Sequence, residues 1–144
     1  MSRISVYLNF MGKTEEAFNF YRSVFGTEFA GPITYMGDAP ADPSRPPLSE
    51  AEQKLVMHVE LPILGGGVLM GTDMLESQGH QLSIGNGITI NLEPDTREEG
   101  DRLFTALSAG GQVTMPLTDM FWGDRFGTII DRYGIPWMFN FPGK

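Results

Sequence analysis

One pattern of elements occurs twice in this sequence of 144 residues, and it restricts the fold more than any other feature. Each half starts with an alternating stretch, continues with a helical pattern that opens on two acidic residues, and then stops at glycine. The matching pairs are Leu8-Asn9-Phe10 with Ile90-Asn91-Leu92, Glu15-Glu16 with Glu98-Glu99, and Phe25-Gly26 with Gly110-Gly111. This repeat is too long for a solenoid, so it predicts two modules side by side.

Alternation predicts the strands of the first module. Residues 4–10 alternate apolar and polar side chains, as a half-buried strand does. Thr14 is predicted as the N-cap of a helix that ends at Gly26. Further strands are predicted at 27–36, 54–61 and 68–72, with a turn at 65–67. In the strand at 54–61, the alternation places Val56, His58 and Glu60 on one face.

The second module repeats this order. Thr96 begins a capping box with Glu99, and the helix that follows ends at Gly110-Gly111. Strands are predicted at 88–92, 112–118, 126–131 and 136–141. The proline-rich segment 37–53 within the first module is predicted as a long loop, either a flap over a pocket or an inert excursion.

These elements predict an α+β fold of two βαβββ modules, in which each helix covers the apolar face of its sheet. The opposite faces would then line a shared concave space. Alternation gives those faces the side chains of Tyr7, Asn9, His58, Glu60, Thr89, Asn91 and Asn140. Buried polar groups need partners, so we expect a small-molecule ligand there. The alternative is that these side chains face solvent on an open sheet.

Composition excludes several classes of function. The chain has no cysteine, which rules out disulfides, thiolate zinc sites and a cysteine nucleophile. Its net charge of −8 repels nucleic acid. No segment has the roughly 20 apolar residues of a membrane span, and the N-terminus does not resemble a signal peptide. We therefore expect a cytoplasmic protein that binds neither nucleic acid nor membrane.

Three stretches resemble the PhnB-like branch of the glyoxalase/bleomycin-resistance/dioxygenase superfamily, also called vicinal oxygen chelate proteins. They are 16–26, 56–61 with 69–73, and 121–127 with 131–138. The resemblance spans the chain and implies a single glyoxalase-like domain, 1–144, with modules at 1–73 and 87–144. It also implies a cup-shaped mixed sheet and a homodimer.

In the enzymes of this superfamily, His, Glu or Gln side chains bind one divalent metal that stabilises an enolate. The resemblance puts the ligand positions near 5–7, Asp73, 87–89 and Met138. Only Asp73 has a suitable side chain there, and one carboxylate does not make a zinc, nickel or iron site. We therefore expect no metal of the usual kind and no cofactor.

Several residues are candidates for ligand contacts. His58 and Glu60 share a strand face, and with Asp73 they could form an unusual metal site or a base with its orienting carboxylate; a histidine satisfied locally is the alternative. Trp122 and Trp137 could form an aromatic wall or could pack in the core or a dimer. Arg125 could clamp an anion or form a structural ion pair. His80, in a polar loop, is predicted to be solvated.

The sequence therefore favours a small-molecule-binding homodimer without the usual metal. Its predicted ligand contacts are Tyr7, Asn9, His58, Glu60, Asp73, Trp122, Arg125 and Asn140. One alternative is a metal-dependent lyase, isomerase or dioxygenase that uses His58, Glu60 and Asp73. The other is a structural dimer in which the aromatic side chains serve only packing.

Overall fold

The computed structural model describes residues 2–143 and has the predicted α+β fold. The chain forms two compact units, of which the first ends at Ser83 and the second begins at Ile84. Each unit contains one four-stranded mixed sheet and one helix of 12 residues, in the order βαβββ. The duplication read from the sequence is therefore confirmed at the level of fold.

The first unit has the sheet order β1-β4-β3-β2, in which β1 and β4 are parallel and the other pairs are antiparallel. Its long helix is α1, and a short helix, α2, lies in the loop predicted at 37–53. The elements are β1 (Val6–Phe10), α1 (Thr14–Phe25), β2 (Thr34–Tyr35), α2 (Glu50–Gln53), β3 (Val56–Pro62) and β4 (Val68–Asp73).

The second unit repeats this topology with the sheet order β5-β8-β7-β6 and a parallel β5–β8 pair. Its elements are β5 (Ile90–Leu92), α3 (Arg97–Ser108), β6 (Gln112–Asp119), β7 (Asp124–Ile130) and β8 (Pro136–Pro142). Thr96 is the N-cap of α3 and its hydroxyl accepts the backbone N–H of Glu99. The Glu99 carboxylate binds Arg102, so only this half of the predicted capping box is observed.

In the first unit, the helix supplies the bulky side chains of the core. Phe18 and Tyr21 of α1 are completely buried, with their rings at 5.7 Å in an edge-to-face arrangement. Phe18 lies against Gly71 of β4, where an added Cβ would come within 2.5 Å of the ring. Any side chain at position 71 would therefore push the helix from the sheet.

In the second unit, the strand supplies the bulk. Trp137, Phe139 and Phe141 project from alternate positions of β8 and are buried. The helix meets them with Gly100, where an added Cβ would come within 2.4 Å of the Phe141 ring. Phe104 of α3 packs edge-to-face on Phe139 at 5.2 Å. A glycine again allows the close approach of helix and sheet, but here it belongs to the helix and not to the strand.

The predicted alternation of β3 is wrong at its first residues. Val56 is 1% exposed and belongs to the core, whereas Met57 is 39% exposed. Thr34 pairs with His58 and Tyr35 pairs with Val56, so Met57 is an extra residue in a β-bulge. His58 and Glu60 keep a common face because they follow the bulge.

Three element boundaries also differ from the prediction. Lys13, not Thr14, is the N-cap of α1, because the Thr14 hydroxyl donates to the buried Asp73 carboxylate instead. The strand predicted at 27–36 is reduced to Thr34–Tyr35. The strand predicted at 88–92 begins at Ile90, which leaves Thr89 outside the sheet and exposed.

Among residues 2–143, no helix is long and apolar enough to cross a membrane. The two longest have 12 residues each, whereas a span needs roughly 20.

Candidate functional site

A row of polar side chains crosses the whole sheet of the first unit on the face opposite α1. Register places Asn9 beside Thr72 and Thr34 beside His58. Thr72 and His58 are neighbours because Val59 pairs with Gly71 in the antiparallel β3–β4 ladder. The row therefore runs Asn9, Thr72, His58, Thr34 across β1, β4, β3 and β2.

Tyr7 and His58 are joined across this face. The Tyr7 hydroxyl lies 3.3 Å from Nδ1 of His58, and the ring centroids are 6.0 Å apart at an angle of 38°. Tyr7 is 46% exposed and His58 is half-buried. Within residues 2–143, Nε2 of His58 has no hydrogen-bond partner. One polar atom of this pair therefore stays available to a ligand.

Glu60 lies in the next row of the same face. It is paired in register with Met70, which is itself paired with Tyr7. The Glu60 carboxylate lies 3.5 Å from the guanidinium of Arg3, and both side chains are partly exposed. Tyr7, Asn9, His58 and Glu60 are thus brought onto one face, as the alternation predicted.

The structure places Asp73 on the helix side of the sheet, away from His58 and Glu60. It is 3% exposed, on the same face as Leu69 and Gly71. Its carboxylate accepts the backbone N–H groups of Gly12, Thr14 and Val56 and the Thr14 hydroxyl, at 2.7–3.1 Å. These bonds tie the start of α1 to β3 and β4, which makes Asp73 a structural residue.

A joint metal site of His58, Glu60 and Asp73 would need all three on one face, and they are not. Within the described part of the chain, no three His, Asp or Glu side chains cluster closely enough to bind a metal ion.

The corresponding face of the second unit is more apolar. Asn140 pairs with Phe126, and Thr128 pairs with Met138. Asn91, beside Met138, is exposed and its amide donates to the Glu93 carboxylate at 3.2 Å. The side-chain oxygen of Asn140 is buried and accepts no hydrogen bond from residues 2–143. Asn140 therefore offers an acceptor on this face.

The two tryptophans have different environments. Trp137 is fully buried, and its indole N–H donates to Asp131 at 2.8 Å, so it belongs to the core. Trp122 is 50% exposed in the β6–β7 turn, where it stacks edge-to-face at 5.0 Å with Phe121, which is 97% exposed. Both side chains lie in the second unit, and they do not form one aromatic wall.

Arg125 belongs to an ion-pair network. Its Nε donates to Asp101 at 2.8 Å, and Nη1 lies 3.6 Å from Asp119. Asp119 also binds Arg97 at 2.8 Å, and this hydrogen bond raises the pKa of the Arg97 guanidinium above its usual value. The Arg125 side chain is only 19% exposed. The structural ion pair is thus the arrangement that the structure shows.

His80 is exposed in a loop, as predicted, but its ring also has a hydrogen bond that the sequence did not predict. Its Nδ1 accepts the backbone N–H of Leu75 at 2.8 Å. The ring therefore closes the turn at 75–80, although the residue remains exposed.

Sequence reasoning did not identify three residues of the open face, namely Thr34, Met70 and Thr72. Met70 and Thr72 follow from alternation in β4, and this signal was available in the sequence. Thr34 depends on the register of a strand of two residues, which alternation cannot define.

Comparison with known proteins places this fold in a family. The family model described as 3-demethylubiquinone-9 3-methyltransferase matches residues 2–139. The chain is 28% identical over 142 residues to the protein YjdN of Escherichia coli K12, covering 95% of this chain and 93% of YjdN.

Solved structures agree with this assignment. Protein PA1353 from Pseudomonas aeruginosa is 32% identical, with a TM-score of 0.84 and full coverage of both chains. A Bacillus cereus structure described as a putative 3-demethylubiquinone-9 3-methyltransferase, PhnB protein, is 28% identical, with a TM-score of 0.73 and coverage of 97% and 99%. More distant structures of the glyoxalase/bleomycin resistance/dioxygenase group share the fold. The chain therefore belongs to the PhnB-like family that this model describes.

Proposed function

We propose that this protein binds a small organic molecule on the open face of its first sheet, through Tyr7, Asn9, His58 and Glu60. One observation carries this proposal: the polar row crosses all four strands and leaves Nε2 of His58 without a partner in residues 2–143. Strands lie about 4.8 Å apart, so four of them present a surface of about 14 Å, the size of a small molecule.

The open face of the second unit is a separate and more apolar candidate surface. Its polar contact is the buried oxygen of Asn140, which would accept a hydrogen bond beside Phe126. An unsatisfied buried oxygen costs about 1–3 kcal/mol, which a ligand donor would recover. Asp73 and Arg125 are not included, because their own ion pairs and hydrogen bonds occupy them.

We do not extend the methyl-transfer activity in the family's description to this chain. Methyltransferases that bind their cofactor at a doubly wound parallel sheet use a glycine-rich turn between strand and helix. Here the connection from β1 to α1 contains only Gly12, and the connection from β5 to α3 contains no glycine. Each sheet has one parallel pair among its four strands.

We also propose that the protein is a cytoplasmic homodimer. The absence of cysteine agrees with a reducing compartment, and the resemblance implies the dimer. Light scattering during gel filtration tests the dimer, which should have twice the 15.9 kDa mass of the chain. A monomer at micromolar concentration would contradict the proposed dimer.

A fragment screen by protein-observed NMR tests the ligand site. We expect binding fragments to shift resonances of Tyr7, His58 and Asn9. His58→Ala should weaken those fragments about tenfold, because it removes the free nitrogen at the centre of the row. His80→Ala is the matched control and should leave their affinity unchanged. Fragments that shift only residues elsewhere, or that bind His58→Ala as well as wild type, would contradict the proposal.

A further inference from the structure

We infer that Tyr7 fixes which nitrogen of His58 carries the proton, and that His58 therefore acts as a hydrogen-bond donor toward an oxygen of the ligand. This inference rests on the proposed function, because it names the ligand chemistry of the same site. Its structural basis is the contact between the Tyr7 hydroxyl and Nδ1 of His58 at 3.3 Å, together with the unpartnered Nε2.

The direction of that hydrogen bond follows from the chemistry of the two groups. A neutral imidazole has one N–H and one bare nitrogen, and a phenol can donate or accept. The bare imidazole nitrogen is the stronger acceptor, because it is a base while the phenol oxygen shares its lone pair with the ring. Tyr7 therefore donates to Nδ1. The proton of His58 is then on Nε2, since the hydrogen bond at one nitrogen sets the tautomer at the other.

The surroundings of Nε2 determine what it can bind. Its neighbours in the row are Thr34, whose hydroxyl can donate or accept, and Thr72, whose hydroxyl donates to the Val56 carbonyl at 3.3 Å. An Nε2–H group needs an acceptor, such as a carbonyl or carboxylate oxygen. A ligand that presents only N–H donors would leave two donors facing each other, which costs binding energy.

Glu60 does not exclude such an oxygen. Its carboxylate lies one row away and is paired with Arg3, which offsets its charge. The site thus selects small molecules that carry a carbonyl or carboxylate oxygen over amines.

His80 provides an internal reference, because the chain has only two histidines. Its Nδ1 accepts the backbone N–H of Leu75 at 2.8 Å. A backbone N–H can only donate, so neutral His80 must also carry its proton on Nε2. The structure therefore predicts the same tautomer for both rings, with Tyr7 responsible for only one of them.

Long-range proton–nitrogen NMR of protein labelled with ¹⁵N-histidine, at about pH 8 where an ordinary histidine is neutral, reads both tautomers directly. We expect Nε2–H for both rings in wild type, with resonances assigned by His58→Gln. In Tyr7→Phe, His58 should shift toward a mixture of tautomers while His80 stays unchanged. Nδ1–H at His58 in wild type, or no change in Tyr7→Phe, would overturn the inference.

The ligand part is tested with three probes of one shape: benzamide, benzoate and benzylamine. We expect the first two to shift the Nε2 resonance of His58 and benzylamine to leave it unchanged. A shift with benzylamine alone would overturn the donor assignment. If no probe shifts His58, the open face is not the ligand site and the proposed function fails, whereas the tautomer result stands independently.

Discussion

The two units share one topology, but the large aromatic side chain between helix and sheet comes from the helix in the first unit and from the strand in the second. In the first, Phe18 of the helix fits over Gly71 of the strand. In the second, Phe141 of the strand fits against Gly100 of the helix. What the two units share is a glycine on one element that admits an aromatic ring from the other, as close packing of the interior requires. The identity of the residue on either side is free as long as the two are complementary.

The buried carboxylates of the two units also differ, in how far along the chain their hydrogen-bond partners lie. Asp73 joins residues far apart in the chain, namely Gly12, Thr14 and Val56. Asp131 of the second unit is also buried, and it binds the nearby backbone N–H groups of Tyr133 and Ile135 and the indole of Trp137. The Asp73 carboxylate joins segments up to 61 residues apart, whereas these three bonds of Asp131 lie within six residues along the chain.

The largest expected effect is that of Asp73→Ala. It leaves three backbone N–H groups without their acceptor, and each unsatisfied buried donor costs about 1–3 kcal/mol. We expect the free energy of unfolding to fall by about 4 kcal/mol, measured by urea unfolding with far-UV circular dichroism.

Asp131→Ala is the matched comparison for that variant. We expect a smaller loss, about 2 kcal/mol, because the donors of Tyr133, Ile135 and Trp137 lie within six residues of Asp131 along the chain. Tryptophan fluorescence should respond more strongly to Asp131→Ala, since Trp122 and Trp137 both belong to the second unit. Equal losses in the free energy of unfolding would contradict this comparison, because the sequence distance of the partners would then not affect stability.

The packing comparison is tested by adding one methyl group at the strand glycine of the first unit or at the helix glycine of the second. Gly71→Ala and Gly100→Ala should each destabilise the protein by about 1–3 kcal/mol, because the new Cβ would lie within 2.5 Å of Phe18 or Phe141. Gly100→Ala should cost less, since alanine favours a helix by about 1 kcal/mol over glycine.

Smaller partners should then rescue these variants. Phe18→Leu should recover part of the loss in Gly71→Ala but not in Gly100→Ala, and Phe141→Leu should do the reverse. Thermal unfolding of the single and double variants gives the coupling energies. If rescue occurs equally in both backgrounds, the two pairs are not the complementary units described.

The smallest expected effect concerns the ion pairs of the two units. Arg125→Met should cost about 1–2 kcal/mol, because Arg125 is mostly buried and binds Asp101 at 2.8 Å. Arg3→Met should change stability by less than about 0.5 kcal/mol, since its pair with Glu60 is exposed and longer, at 3.5 Å. Added salt should reduce the Arg125 difference only slightly. A larger loss for Arg3→Met in chemical unfolding would reverse this comparison.

Much of the candidate site was predictable from alternation alone. Tyr7 and Asn9 lie on the open face because β1 has no irregularity. His58 and Glu60 were placed correctly relative to each other, but Val56 was not, because a bulge at Met57 changes which residues face the core. A bulge depends on how β2 and β3 pair, and a local period contains no information about pairing.

The roles of the charged and aromatic candidates were not predictable in the same way. Asp73 and Arg125 have side chains that suit a binding site, and only their partners reveal that they stabilise the fold. Those partners are distant in sequence: Gly12 lies 61 residues from Asp73, and Asp101 lies 24 residues from Arg125. Trp137 and Trp122 likewise differ in burial, not in type.

The sequence by itself determined the duplicated order of strands and helices, because alternation, helical periodicity, capping residues and glycine stops are local signals that act within one segment. Only the tertiary structure decided which polar side chains remain available. Hydrogen bonds and ion pairs between distant segments occupy Asp73 and Arg125 and leave Nε2 of His58 without a partner in residues 2–143. Such contacts depend on strand register and helix docking, which form only when the whole chain packs.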